Sequence, residues 1–221
     1  MALIILIAFA LLFVITHVGL SSLAVKAALE KRLGVGWVKG LYSIVSILTF
    51  GGMIVTYAFF GARGAALWAP LGWDNAFIWV LMILAFLFIA YSMSTPSPVG
   101  ADMGRPAKPE ARGMLRVTSH PQNMGMLCFG LAHVLVTGTV GGLALYGSLV
   151  ILPLIGSWHE TAKTGRSADP AVQAFLKETS PLPFAAILAG RNRLVLGEFA
   201  LPTLLGAIVA AGVAVGLHFI L

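Results

Sequence analysis

The sequence has very little charge. Asp, Glu, Lys and Arg make up 10% of its 221 residues, whereas 59% are apolar. A soluble domain carries about 25% charged residues, so this chain cannot cover itself with a water-facing surface. The composition excludes a soluble globular protein and predicts one membrane domain over residues 1–221.

Cysteine is also scarce, because Cys128 is the single one in the chain. One thiol excludes an internal disulfide framework and a cysteine-rich zinc or iron–sulfur site. The net charge of +6 does not indicate a nucleic-acid partner, because the basic residues lie between hydrophobic runs, where membrane topology places them. The start of the chain lacks a basic segment before its apolar stretch, so we do not expect a cleaved signal peptide there.

Long apolar runs dominate what is present. A transmembrane helix needs roughly 20 apolar residues, and the long run over 117–159 divides at a Thr- and Gly-rich turn around 137–142. We therefore predict an all-α, polytopic membrane protein, a bundle of about six transmembrane helices. The predicted spans are 2–25, 40–60, 76–95, 122–137, 141–156 and 199–220.

The basic residues orient these spans. Of the 14 Lys and Arg residues, Arg63 alone lies in the second connection, and the others lie in the first, third and fifth connections or just before the last span. Under the positive-inside rule, those three connections lie in the cytoplasm, and the N-terminus is periplasmic. The predicted location is a bacterial inner membrane, crossed several times.

The loop between the last two predicted spans contains further elements. Residues 169–178 predict a short amphipathic helix, because Asp169 can cap it and Pro170 occupies its first position. The apolar stretch 179–190 is too short to span a bilayer, so we expect it to lie at the interface or to re-enter.

Two histidines lie inside predicted spans, where ionisable residues are rare and indicate function by default. His17 is nine residues from Lys26, or roughly 13 Å deep, and His133 is eleven residues past the start of the fourth span at 122, or roughly 16 Å deep, at about 1.5 Å per residue. Similar depths suit two axial ligands of a haem. Two hydrogen-bonded packing histidines would fit the same pattern, and depth alone leaves both interpretations open.

A second polar group precedes the fourth span, where His120 and Pro121 follow Arg116. Proline at the first helical position and a polar residue before it are common at helix starts. The same groups could pair with an anion such as a haem propionate. Arg191 and Arg193, before the last span, could do so as well or bind a lipid phosphate. His218 lies near the opposite end of the last span.

Five segments together resemble the NnrU family in order and over nearly the whole chain. They are Thr16-His-Val-Gly19, Leu41-Tyr-Ser43, Arg116-Val-Thr-Ser-His-Pro-Gln122, Gly130-Leu-Ala-His133 and Glu178-Thr-Ser-Pro-Leu-Pro-Phe-Ala-Ala-Ile-Leu-Ala-Gly-Arg191. The resemblance implies a single NnrU-like transmembrane domain and an association with denitrification, in nitrite and nitric oxide metabolism. The family is similar to the 15-cis-zeta-carotene isomerases, which are membrane proteins with haem b.

Carried over by position, the resemblance implies His17 and His133 as the axial iron ligands. His120 matches the His-Pro motif of the family and is an alternative ligand or a partner at the edge of the haem. Arg116, Arg191 and Arg193 are the further cofactor-binding residues that we expect from their charge. The isomerases place a cysteine three residues before the second histidine, where this chain has Gly130. That departure puts a thiolate switch, and isomerase activity with it, in doubt.

The expected function is therefore haem binding that serves denitrification or a redox-linked isomerisation, with a hydrophobic small molecule in the membrane as a further partner. An alternative class also fits one motif. His120-Pro-Gln-Asn-Met-Gly125 resembles the core of isoprenylcysteine-type membrane methyltransferases, which use S-adenosylmethionine. Those enzymes carry a further acidic motif near the C-terminus, which this chain lacks after Glu198.

Overall fold

The protein is described by a computed structural model over residues 1–99 and 108–220, without the side chains at 23, 215 and 217–220. The side chain of His218 therefore lies outside the described ones. The described residues form ten α-helices and no β-strand, which agrees with the predicted all-α class. The helices are α1 (Ala2–Ser21), α2 (Leu23–Leu33), α3 (Val35–Phe59), α4 (Ala76–Ser94), α5 (Met114–Val117), α6 (Pro121–Thr137), α7 (Val140–Thr164), α8 (Pro170–Glu178), α9 (Ala185–Leu188) and α10 (Leu201–Ile220).

Four of these helices are long and apolar enough to cross a membrane: α1, α3, α4 and α7. Many of their large apolar side chains are exposed on the surface of the protein, for example Ile15 on α1 and Ile47 on α3. Exposed apolar faces of this extent are typical of helices that contact lipid. Helix α6 has 17 residues, and the described apolar part of α10 is Leu201–Ala214. Both are shorter than a typical membrane-spanning helix of about 20 residues. The count of six spans and their orientation therefore stay predictions.

One compact unit comprises Met1–Gly72 and Gly130–Ile155. In it, α1 packs antiparallel to α3, and the rings of Phe13 and Phe50 lie 5.6 Å apart between them. Gly52 permits the close approach of α1 and α3 next to this pair, because a Cβ atom on it would come within 2.7 Å of the ring of Phe9. The small residue thus lets an aromatic ring lie against the backbone of α3.

The turn between α6 and α7 lies where the sequence predicts it. Gly138 has a φ of 59°, a left-handed conformation that glycine adopts without strain. Its carbonyl oxygen accepts a hydrogen bond from the amide of Leu67 at 2.7 Å. A Cβ atom at Gly138 would lie 2.6 Å from the carbonyl oxygen of Trp68, so the close approach of the 60–72 loop requires glycine here.

The other compact unit comprises Trp73–Phe129 and Gly156–Leu221. In it, α4 packs against α10, and the hydroxyl of Tyr91 donates to the carbonyl oxygen of Ala200 at 3.1 Å. The segment after α8 lies along α5, because the amide of Phe184 donates to the carbonyl oxygen of Val117 at 2.8 Å. Helix α9 is a single turn, which agrees with the prediction that 179–190 is too short to span.

Two helices differ in length from the predicted spans. α1 ends at Ser21, before the predicted limit of 25, because Ser22 has an extended ψ of 142°. α7 continues over Pro153 to Thr164, beyond the predicted limit of 156. The short helix predicted over 169–178 is confirmed as α8, and the side chain of Asp169 accepts from the amide of Ala171 at 2.9 Å.

Candidate functional site

His17 lies on α1 with both ring nitrogens in hydrogen bonds. Its Nδ1 is 2.8 Å from the carbonyl oxygen of Phe13, and its Nε2 is 3.1 Å from Oγ of Ser46 on α3. Aromatic rings surround the imidazole, with Phe13 at 4.2 Å and Tyr42 at 5.1 Å between centroids. The side chain therefore lies partly buried in an aromatic environment between two helices.

The partners of His17 determine where its proton lies. A carbonyl oxygen only accepts, so Nδ1 must carry the hydrogen that is donated to Phe13. In the neutral ring, Nε2 then presents a lone pair towards Oγ of Ser46, whose hydroxyl hydrogen is also directed at the carbonyl oxygen of Tyr42, 2.7 Å away. Metal-ligating histidines are oriented in this manner, with one ring N–H held by a carbonyl group and the other nitrogen presented to the metal. His17 on its own therefore has the chemistry of an axial ligand.

His133 lies on α6 and is buried, with 4% of its surface exposed. Its ring stacks at 4.7 Å and 31° on the ring of Tyr146 on α7. Tyr146 in turn contacts the ring of Tyr57, near the end of α3, at 6.0 Å. His133 thus belongs to an aromatic group close to the α6–α7 turn.

The two histidines have different neighbours. His17 contacts Ser46 on α3, whereas the ring of His133 packs against Tyr146, whose ring contacts Tyr57. Ligation of one iron by His17 and His133 together stays a prediction.

His120 precedes α6 and is among the most buried side chains, with 2% of its surface exposed. Its Nε2 lies 2.7 Å from Oγ1 of Thr161. Its Nδ1 lies 3.3 Å from Oε2 of Glu160 but is not aligned for a hydrogen bond and has no partner. Asn123, one turn into α6, donates to Oγ of Ser157 at 3.1 Å. The imidazole is therefore enclosed by polar groups from α6 and α7.

Arg116 on α5 makes a two-pronged ion pair with Glu198. Its Nε donates to Oε2 at 2.7 Å, and its Nη2 donates to Oε1 at 2.8 Å. Its Nη1 donates to the side-chain oxygen of Asn192 at 2.8 Å, and the amide of Gly113 also donates to Glu198 at 2.6 Å. Planar pairs of this kind are among the stronger charge-assisted interactions.

This pairing changes the ionisation of both groups. The hydrogen bonds from Arg116 lower the pKa of the Glu198 carboxyl to about 2, and the amide of Gly113 adds to the effect. The same hydrogen bonds raise the pKa of the Arg116 guanidinium above its usual value. A haem propionate would have to displace Glu198 before it could occupy the guanidinium of Arg116.

Arg191 and Arg193 lie in the exposed segment before α10. Arg191 donates from Nη1 to the carbonyl oxygens of Lys177, at 2.6 Å, and Thr179, at 3.0 Å. The backbone amide of Arg193 donates to the side chain of Asn192 at 2.8 Å. Arg191 thus holds the end of α8 against this segment, which is a structural use of its charge.

Sequence reasoning missed the carboxylates next to His120 and Arg116, which are Glu160 and Glu198. Ser157, Glu160 and Thr161 share one face of α7, because residues three and four apart are neighbours on a helix. That spacing was readable in the sequence, but the span was expected to end at 156. Glu198 also carried a signal, since it is the last acidic residue of the chain.

A cavity of about 370 Å³ opens beside the end of α4. Polar and charged side chains contribute much of its lining. The lining includes Tyr91, Ser94, Thr95, Lys108, Glu110, Arg112 and Glu198. The predicted site residues Arg116, His120, Arg191 and Arg193 do not line it.

A comparison with known proteins identifies the family to which the chain is similar. The family described as "NnrU protein" matches residues 5–221. The Arabidopsis thaliana protein named "15-cis-zeta-carotene isomerase, chloroplastic" is 31% identical over 185 residues, which are 82% of this chain and 50% of the plant protein. The Zea mays protein of the same name is 27% identical over 186 residues, which are 83% of this chain and 50% of that protein.

The chain thus spans about half the length of the curated relatives that it matches. No solved structure matches it. These matches agree with the resemblance found in the sequence, and they favour it over the methyltransferase alternative.

Proposed function

The chain belongs to the NnrU family, and on that premise we propose that it is a multi-pass protein of the bacterial cell membrane that binds b-type haem. Its four long apolar helices support the membrane location. The split of basic residues between alternate connections supports a cytoplasmic side at those connections and a periplasmic N-terminus. The six predicted spans are part of this proposal.

The observation that carries the haem proposal is the geometry of His17. Its Nδ1–H is held by Phe13, and its Nε2 lone pair points at a serine hydroxyl between apolar helices. A neutral imidazole can bind iron inside a membrane without burying a charge of its own. Aromatic neighbours at 4.2 and 5.1 Å provide the apolar surroundings that a porphyrin face requires.

The expected second ligand is His133, which is the residue that the family resemblance implies. It is buried on α6, and its ring packs against the ring of Tyr146 at 4.7 Å. His133→Ala tests this ligand separately from His17→Ala.

Bound haem would supply a redox-active iron, and bis-histidine ligation would leave no open position on it. That chemistry suits electron transfer or redox sensing in support of denitrification. The relatives are named for isomerisation of 15-cis-zeta-carotene, so a related role on a hydrophobic small molecule is the enzymatic form of the proposal. Gly130, where the isomerases carry a cysteine, weighs against a mechanism that needs a thiolate.

The experiment is expression in haem-replete cells, purification in detergent and absorption spectroscopy of single variants. His17→Ala is expected to abolish the Soret band, and His133→Ala to abolish or shift it. Ser46→Ala is expected to keep the band, because Ser46 is not a proposed ligand and its removal leaves the Nε2 lone pair of His17 available to iron. His159→Ala is the matched control, since it removes a partly exposed histidine from α7. A normal band in His17→Ala would contradict the proposal for that residue.

A further inference from the structure

The buried imidazole of His120 has one satisfied nitrogen and one unsatisfied nitrogen. Nε2 is 2.7 Å from Oγ1 of Thr161, while Nδ1 has no hydrogen-bond partner. Only 2% of the residue is exposed, so water cannot freely solvate Nδ1. Buried polar atoms are normally hydrogen-bonded, so the geometry indicates a missing partner.

The group that faces this nitrogen is a carboxylate. Oε2 of Glu160 lies 3.3 Å from Nδ1 of His120, and its side chain is 28% exposed. When Nε2 carries the ring hydrogen and donates it to Thr161, Nδ1 presents a lone pair. A lone pair and a carboxylate oxygen at this distance repel each other unless a proton or a metal cation lies between them.

We propose that His120 and Glu160 bind a divalent first-row transition-metal ion, with Asn123 as a third donor. With metal–nitrogen and metal–oxygen bonds of about 2.0–2.2 Å, two ligands at a tetrahedral angle are about 3.4 Å apart. The observed separation of 3.3 Å matches this value. The poor hydrogen-bond alignment also fits, because ligand lone pairs converge on a point off the line between the two atoms.

Asn123 lies in position to complete the site. Its Nδ2 lies 3.5 Å from Oε2 of Glu160, at the outer limit of a hydrogen bond, and this distance is also close to that of two ligands on one metal. The oxygen and nitrogen of an amide are assigned from the hydrogen-bond network, so a rotated amide directs its oxygen at the ion. The hydroxyl of Ser157, 3.1 Å from this end of the Asn123 amide, would then donate a hydrogen bond to the amide oxygen instead of accepting one from the amide nitrogen.

Thr161 has the role of a positioning residue. Histidines that bind a metal donate their other ring N–H to an oxygen, which fixes the tautomer and the ring orientation. The 2.7 Å contact between Nε2 and Thr161 fulfils this condition. Loss of such a partner lowers metal affinity by about 10–100-fold.

The donor set determines the class of ion. One imidazole nitrogen with carboxylate and amide oxygens suits Zn²⁺, Co²⁺ or Ni²⁺ better than Ca²⁺ or Mg²⁺, which prefer oxygen ligands alone. No group of three His, Cys, Asp or Glu is present among the described residues, so water would complete the coordination. The partly exposed Glu160 provides the entry path for the ion. This site does not depend on the proposed haem.

The test uses the full chain in detergent, without a histidine tag and free of haem. Binding of Co²⁺ is measured by its visible absorption, and binding of Zn²⁺ is measured by calorimetry. One ion per chain is expected. Glu160→Gln keeps the shape of the side chain and is expected to weaken binding at least about 10-fold, and Thr161→Val about 10–100-fold. Thermal unfolding of each variant confirms that it is folded.

His159→Ala is the matched control, because it removes a neighbouring histidine on α7 and is expected to leave the affinity unchanged. Equal binding by the wild type and Glu160→Gln would overturn the proposal, as would equal loss in His159→Ala. Absence of metal binding, together with a His120 ring found by nitrogen-15 NMR to carry its hydrogen on Nδ1, would show that a proton alone joins the pair. That result would also overturn the proposal. A Soret band can be present or absent in either case, so this result is separate from the haem test.

Discussion

The ion pair between Arg116 and Glu198 provides a quantitative prediction for Glu198→Gln. The substitution keeps the shape of the side chain and removes its charge. A fall in the Glu198 pKa from its usual 4.5 to about 2 corresponds to roughly 3 kcal/mol at about 1.4 kcal/mol per pKa unit. Glu198 and Arg116 are 23% and 21% exposed, so most of this energy is retained, and we expect a loss of roughly 2–3 kcal/mol.

The pH dependence of this loss in stability follows from the lowered pKa of Glu198. The ionised carboxylate is favoured by folding, so its contribution is fully present above about pH 4.5 and is lost as the pH falls towards 2. At pH 7 the full difference between the wild type and Glu198→Gln is expected. Below about pH 4.5 the two proteins are expected to converge.

Cys128 makes a convenient probe for this measurement. It is the single cysteine of the chain, and it is buried, so a thiol-reactive dye gains fluorescence as the protein unfolds. A loss of roughly 2–3 kcal/mol corresponds to a midpoint lowered by roughly 5–10 °C for a chain of this size. Glu110→Gln is the control, because it removes an exposed carboxylate from the connection between α4 and α5. Equal midpoints for Glu198→Gln and Glu110→Gln would refute the reasoning.

Two further predictions concern the turn and the topology. Gly138→Ala is expected to lower the stability by about 1–3 kcal/mol, because it forces a positive φ on a residue with a Cβ atom. Gly147→Ala inside α7 is its control and is expected to be neutral or stabilising, since alanine favours the helix. In a thermal melt, equal midpoints for both would contradict this account of the turn. Reporter fusions at Arg63 are expected to report the periplasm and fusions at Arg166 the cytoplasm. A cytoplasmic signal at Arg63 would overturn the helix count or the orientation.

The helices were largely predictable from the sequence, because apolar runs and their interruptions are local features. The turn at Gly138 and the cap at Asp169 follow from residue types with specific backbone roles, and both were found where expected. The break at Ser22 was not predictable in this way. Serine is compatible with helix, and no proline or glycine marks the position.

The surroundings of the site residues were harder to predict. The histidines stood out as ionisable groups in apolar surroundings, but their partners depend on packing between segments distant in sequence. Glu198 meets Arg116 across 82 residues, and Thr161 meets His120 across 41.

The most direct test of the central claim is the haem content of the purified wild-type chain, from haem-replete cells, by absorption in oxidised and reduced states and by pyridine haemochrome. About one b-type haem per chain, with a Soret band that shifts on reduction, is the expected result. Protein that is folded and has no Soret absorbance would contradict the claim that this family member binds haem.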